Sequence, residues 1–152
     1  MRLSRDQCWQ RLRDADHGVL CTTNASGGAD AVPVCFALVG PHLVSPIDTV
    51  KPKETTALGR RANLDRDPRG TLLCERWDRG DWSRLWWVRA RLVLRPDDQV
   101  GDGRRAHFEA ALRARYPQFR TGEFAAPLVF DVAGTVGWSA SADQADDTDP
   151  LM

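Results

Sequence analysis

"SRLWWVRARLVLR", Ser83 to Arg95, alternates with a period of two. Trp86, Val88, Ala90, Leu92 and Leu94 fall on one side of an extended chain, and Trp87, Arg89 and Arg91 on the other. The first set is a core face. The second mixes indole rings with guanidinium groups, which suits a subunit interface or a flat ligand. Core packing competes as the role of any single tryptophan.

Just upstream, "GTLLCERW" reads as a second long strand, and "DRGD" between the two predicts a hairpin. Near the N-terminus, "SRDQ" from Ser4 to Gln7 is a capping box, with a hydroxyl and an amide three residues apart. A helix follows that buries Cys8, Trp9, Leu12 and Ala15 and stops at Gly18. "GVLCTT", "AVPVCFALV" and "HLVSPID" are three further strands, separated by the turns "NASGGAD" and Gly40-Pro41. A loop and a helix over Thr55 to Asn63 precede the hairpin. A helix from Gly103 to Arg115 turns Phe108, Ala111 and Leu112 inward, and "PLVFDVAGTVGWSA" is the last strand. Six strands and three helices that do not alternate as β-α-β units predict a mainly β fold. The expected architecture is a closed or half-closed antiparallel barrel with flanking helices, filling residues 1–140. The segment 141–152 is acidic, has little to bury, and is expected to be mobile.

The chain has 152 residues, with 21 Lys plus Arg and 21 Asp plus Glu. One domain with a proper core fits that length. Charge balance argues against a nucleic-acid binder, and no apolar run approaches the length that spans a bilayer. The charged N-terminus is no secretory signal, so a cytoplasmic setting is expected. Cys8, Cys21, Cys35 and Cys74 form no C-x-x-C pair, and His17, His42 and His107 are scattered. Buried thiols in a reducing compartment are expected, with no metal site. "GDGRRA" at Gly101 to Ala106 matches a dinucleotide fingerprint in letters only, because no β-α-β unit surrounds it. No nucleophile elbow, triad or carboxylate pair stands out, so catalytic side chains are not assigned. An enzyme of this kind would take its chemistry from a cofactor.

Lys51 and Lys53 are the only two lysines in the chain, and they stand at the mouth of the predicted second helix. Pro52 biases Lys51 to extended backbone, where residues two apart point the same way. Both ammonium groups can therefore converge on one anion. The N–H groups that open the helix at Thr55 or Thr56 favour the same anion. Thr56, Arg60 and Asn63 share one side of that helix, while Ala57, Leu58 and Ala62 turn inward. A phosphate site and an ordinary solvated charged helix both fit these residues.

"HGVLCTT", "DAVPVCF", "PIDTVKPK", "RANLDRDPR", "DWSRLWWVRARL" and "VGWSA", in that order, resemble the FMN-binding split-barrel superfamily of pyridoxamine-phosphate-oxidase-like proteins. The branch most similar is the one that uses the deazaflavin coenzyme F420. The resemblance implies a six-stranded antiparallel split β-barrel of Greek-key type. It also implies a homodimer with cofactor sites at the subunit interface. The flavin-like ring would lie against Val32, Pro33 and Val34 and the next strand at Ser45. The phosphate would be held where Lys51, Lys53, Thr55, Thr56, Arg60 and Asn63 stand. The implied reaction is hydride transfer from reduced F420 to an electron-poor bond of a small substrate. An FMN enzyme on the same fold, and a non-catalytic flavin- or haem-binding protein, are the alternatives.

Overall fold

The computed structural model describes residues 1–48, 56–121 and 124–141. Lys51, Lys53, Thr55 and the acidic segment from Ala142 onward lie outside the described residues.

Among the described residues, three α-helices and seven strands follow one another in the order α1 (Arg5–Asp14), β1 (Gly18–Thr23), β2 (Ala29–Val34), β3 (Ala37–Val39), β4 (His42–Asp48), α2 (Thr56–Arg66), β5 (Arg69–Arg76), β6 (Trp86–Leu94), α3 (Asp102–Arg115) and β7 (Phe124–Ser139). The strands form one antiparallel sheet in the spatial order β2-β1-β5-β6-β7-β4-β3.

That order carries the architecture. β2 and β3 are the two outer strands, yet only Cys35 and Phe36 separate them in sequence. Three residue steps span at most about 10 Å of extended chain. A flat sheet would hold its outer strands several strand spacings apart. The sheet therefore curls until its margins meet at Cys35–Phe36, and the result is a split half-barrel. The corner is pinned from two sides. The Ser45 hydroxyl donates to the Cys35 carbonyl at 2.9 Å. The Phe36 N–H donates to the Tyr116 hydroxyl at 3.1 Å, and that hydroxyl lies 3.0 Å from the Phe36 carbonyl and 2.8 Å from the Asp16 carbonyl.

This corner corrects the expectation of six strands. "AVPVCFALV" is broken into β2 and β3, because a regular strand cannot both end one margin of the sheet and begin the other. The break lets Phe36 swing fully into the core.

The alternation of β6 is realised: Trp86, Val88, Ala90 and Leu92 are buried and Arg89, Arg91 and Val93 exposed. They join Leu20, Leu43, Leu72, Leu128 and Phe130 inside the barrel. A second cluster fixes α3 outside β3, β4 and β7, through Phe108 and Leu112 against Ala37, Val44 and Val129.

The capping box of α1 is formed, with the Gln7 N–H donating to Ser4 Oγ at 3.2 Å and the Ser4 N–H to Gln7 Oε1 at 2.8 Å. Cys8 and Leu12 are buried, while Trp9 and Ala15 are half-buried. The helix seats against Gly137, where a Cβ would stand 2.9 Å from Cys8 Sγ and 3.0 Å from the Trp87 carbonyl. It ends at Asp14, and Gly18 opens β1 instead of stopping a helix.

α2 runs to Arg66, three residues beyond the expected end, and its inward side is rotated from the expected one. Asn63 and Leu64 are buried, whereas Ala62 is exposed.

None of the four cysteines forms a disulfide. Cys8 and Cys74 are buried, and burial pushes the Cys74 thiol up to about 12.

Candidate functional site

The strand register assembles a broad outer surface on β2, β1, β5, β6 and β7. One row across it is Pro33, Val19, Leu73, Arg89 and Val136. The next is Ala31, Cys21, Thr71, Arg91 and Gly134. A third, shorter row is Glu75, Trp87 and Trp138. The β2 end is therefore built of small side chains, and the β6–β7 end of indoles and guanidiniums. Arg89 lies over the Trp87 ring at 5.1 Å from its centroid, and Trp138 is 38% exposed. Its β6–β7 end thus offers an indole face and guanidinium groups side by side.

On the inward side of β1 and β2, α2 is held to the barrel by a polar network. The Asn63 side-chain amide donates to Thr22 Oγ1 at 3.0 Å and to Asp30 Oδ2 at 2.9 Å. Its carbonyl oxygen accepts from the Arg66 guanidinium at 2.9 Å. Asn24 donates to the other Asp30 oxygen at 3.0 Å while its own carbonyl oxygen caps the turn at Ser26 and Gly28. These hydrogen bonds, from Asn24 first and then Asn63, hold the Asp30 carboxyl below its ordinary range. Asn63 itself is 3% exposed, with its amide donors and its oxygen all engaged inside the protein.

The residues expected at a cofactor are thus distributed as follows. Pro33 is exposed on the outer surface, in the row that leads to Arg89. Val32 and Val34 pair with Leu20 and Gly18, so they point to the opposite side. Val34 is buried in the barrel and Val32 half-buried against it. Ser45 is buried at the β2–β3 corner and bonded to the Cys35 carbonyl. Arg60 is half-buried on α2, Asn63 is buried in the network, and Thr56 is the first residue of the helix. The seven residues from Thr49 to Thr55, with both lysines, connect the end of β4 to the start of α2.

Sequence reasoning did not find Tyr116, Thr22, Asn24 or Asp30. Only the "NASGGAD" turn signal touched this group, and it announced a turn rather than a network.

The His42 Nδ1 lies 3.0 Å from Asp131, and the ring packs edge-on against Phe108. Among the described residues no cluster of His, Cys, Asp and Glu has the arrangement of a metal site. Among them, too, no helix is long and apolar enough to cross a membrane.

No family model matches the chain, and no curated protein matches it. Solved structures do. A conserved hypothetical protein of Mycobacterium tuberculosis, Rv2991, is similar with a TM-score of 0.66 at 16% identity, over 91% of this chain and 86% of that one. An FAD-binding protein of Mesorhizobium loti is similar with a TM-score of 0.64 at 17% identity, over 90% and 95% of the two chains. An FMN-binding protein of Syntrophomonas wolfei subsp. wolfei gives 0.64 at 14% identity, over 89% and 88%. At these identities the likeness is one of fold, and the fold is a mainly β, antiparallel split barrel.

Proposed function

We propose that this chain is one subunit of a homodimeric oxidoreductase that binds coenzyme F420 and reduces a small electron-poor substrate. The observation that carries the reading is the outer surface, where small side chains at Pro33, Ala31 and Val19 meet Arg89 and the Trp87–Trp138 pair across one sheet. A second copy laid on this surface would cover the exposed indoles and enclose a flat ring against β2. FAD- and FMN-binding proteins with the same fold support a ring-binding role.

The residues fit a phosphate-bearing cofactor by donor chemistry. Lys51 and Lys53 supply two ammonium groups, and Thr55 and Thr56 supply hydroxyls at the opening of α2. The helix dipole adds to their field. Asn63, engaged with Thr22 and Asp30, serves best as the anchor that sets where this helix begins. Arg60, three residues before it, remains the guanidinium of the proposed site. When bound, reduced F420 supplies a hydride. The chain's own part is to hold the ring, exclude water and orient the acceptor.

FMN is the second reading, favoured by the FMN-binding relative in fold. Both cofactors carry a phosphate, so the lysines serve either. Titration of the purified protein with each cofactor, followed by absorbance and fluorescence, separates the two. Tighter binding of F420, with turnover of an electron-poor acceptor only when reduced F420 is present, is the expected result. Equal or tighter binding of FMN makes the protein an FMN enzyme, and binding of neither removes the proposal.

A further inference from the structure

Part of β7, at the far end of the outer surface described above, has backbone paired on one side only. β4 accompanies β7 only as far as the His42–Asp131 pair. At the other end Met1–Leu3 runs along the same margin. The Leu3 N–H donates to the Gly137 carbonyl at 3.0 Å and the Ser139 N–H to the Met1 carbonyl at 2.9 Å. Gly137 and Ser139 therefore direct their polar groups to that margin. By alternation Thr135 directs its N–H and C=O there as well. The chain that would have met Thr135 leaves at Ser4, where the capping box turns it into α1. Among the described residues, Val132 to Val136 thus has a strand on the β6 side alone.

The gap is a cavity of about 400 Å³, in the size range of ligand pockets. Arg2, Arg5 and Trp9 wall it, and the β7 backbone is its floor. A Cβ on Gly134 would meet nothing within 4 Å. A second hollow of about 560 Å³ lies beside it, between Trp9, Arg13 and the Gly40–Pro41 turn. The two share Arg5 and Trp9, so they lie side by side along α1. Asp6 is their single carboxylate, against three arginines.

Exposed strand backbone recruits another extended chain, and side chains along the rim select which one. Here the rim is basic with one aromatic plate. We propose that the cavity beside β7 binds a short, extended, acidic peptide segment of a partner protein, which adds as a strand beside Thr135. Alternate residues of such a segment point one way, so carboxylates two apart would face Arg2 and Arg5 together. The ladder is interrupted by a bulge between Gly134 and Val132 opposite Arg91 and Leu92, which limits the added strand to a few residues.

The probe is a fluorescein-labelled eight-residue peptide of alternating Thr and Glu, titrated onto the full chain by anisotropy. Saturable binding is expected, together with protection of the Thr135 amide from hydrogen exchange. The double variant Arg2→Glu, Arg5→Glu should weaken binding roughly tenfold, because each exposed ionic contact is modest and reversal adds repulsion. A peptide N-methylated on alternate amides keeps its charge and should lose the added-strand hydrogen bonds, so its affinity should also drop. A Thr–Lys peptide should not bind. Equal binding of the Lys peptide, equal binding of the N-methylated peptide, or indifference to the charge reversal overturns the proposal. A further result against it would be binding that begins only after Asp143, Asp146, Asp147 and Asp149 are replaced by Asn. The cavity would then belong to the chain's own acidic segment.

Discussion

Asn63 on α2 donates to Asp30 on β2 at 2.9 Å, and these two residues stand 33 apart in the chain. The contact joins a helix to the margin strand of the barrel, so α2 is fixed to β2 by one amide.

Asn63→Ala should destabilise the protein by about 1–3 kcal/mol, because it leaves buried polar groups unsatisfied. Urea unfolding measures it. The same contact predicts a pH dependence. Asp30 and Asp67 are both held below their ordinary value of 3.8, Asp67 down to about 2 by the guanidinium and N–H of Arg69. Groups with depressed folded values stabilise above the unfolded value and lose that contribution as pH falls through the folded one. Melting temperature should therefore fall between pH 4 and pH 2, and less steeply in Asp67→Asn. A variant as acid-sensitive as the parent would contradict this.

Tyr116→Phe tests the barrel corner. The lost hydroxyl serves the Phe36 N–H and lies within hydrogen-bond range of the Phe36 and Asp16 carbonyls. A cost of about 1–3 kcal/mol is expected from the orphaned backbone groups. Hydrogen exchange should report faster opening at Phe36 than in the β5–β6 ladder, while uniform acceleration would mean that the corner is not separately held.

Replacing Lys51 and Lys53 by Ala should weaken cofactor binding and leave melting unchanged. Each charge-assisted hydrogen bond contributes about 1.5–3 kcal/mol, which is about ten- to a hundredfold in affinity. Lys53→Arg should also weaken binding, since a planar fork does not replace a compact ammonium. A folded double variant that binds F420 and FMN like the parent would remove the anion site.

Trp138→Glu tests the subunit surface. A carboxylate in the row with Trp87 and Glu75 places like charge on a surface that a second copy would cover. Light scattering should show a dimer for the parent and a monomer for the variant at micromolar concentration. A monomeric parent would exclude a cofactor site shared between subunits.

Much of this could be read from spacing alone. Ser4 and Gln7 make the α1 cap because three residues is the separation that the first helical turn brings together. Trp86 to Leu92 alternate in burial because a pleated strand with one wet side demands it. Such relations involve neighbours in the chain, so local geometry suffices to determine them. The corner at Cys35–Phe36 is different. Nothing in "AVPVCFALV" says that the sheet must close there. That is decided by β4 through Ser45 and by Tyr116, whose partner Phe36 is 80 residues away. Asn63 is alike in this respect. The helical period put it on one side with Thr56 and Arg60, ready for an anion. Its actual partners, Thr22 and Asp30, lie 41 and 33 residues off, and they became neighbours only when the barrel formed. A buried amide must satisfy its donors and acceptor within the protein. Which groups do so depends on every chain crossing that brings them near, and one-dimensional order does not contain that information.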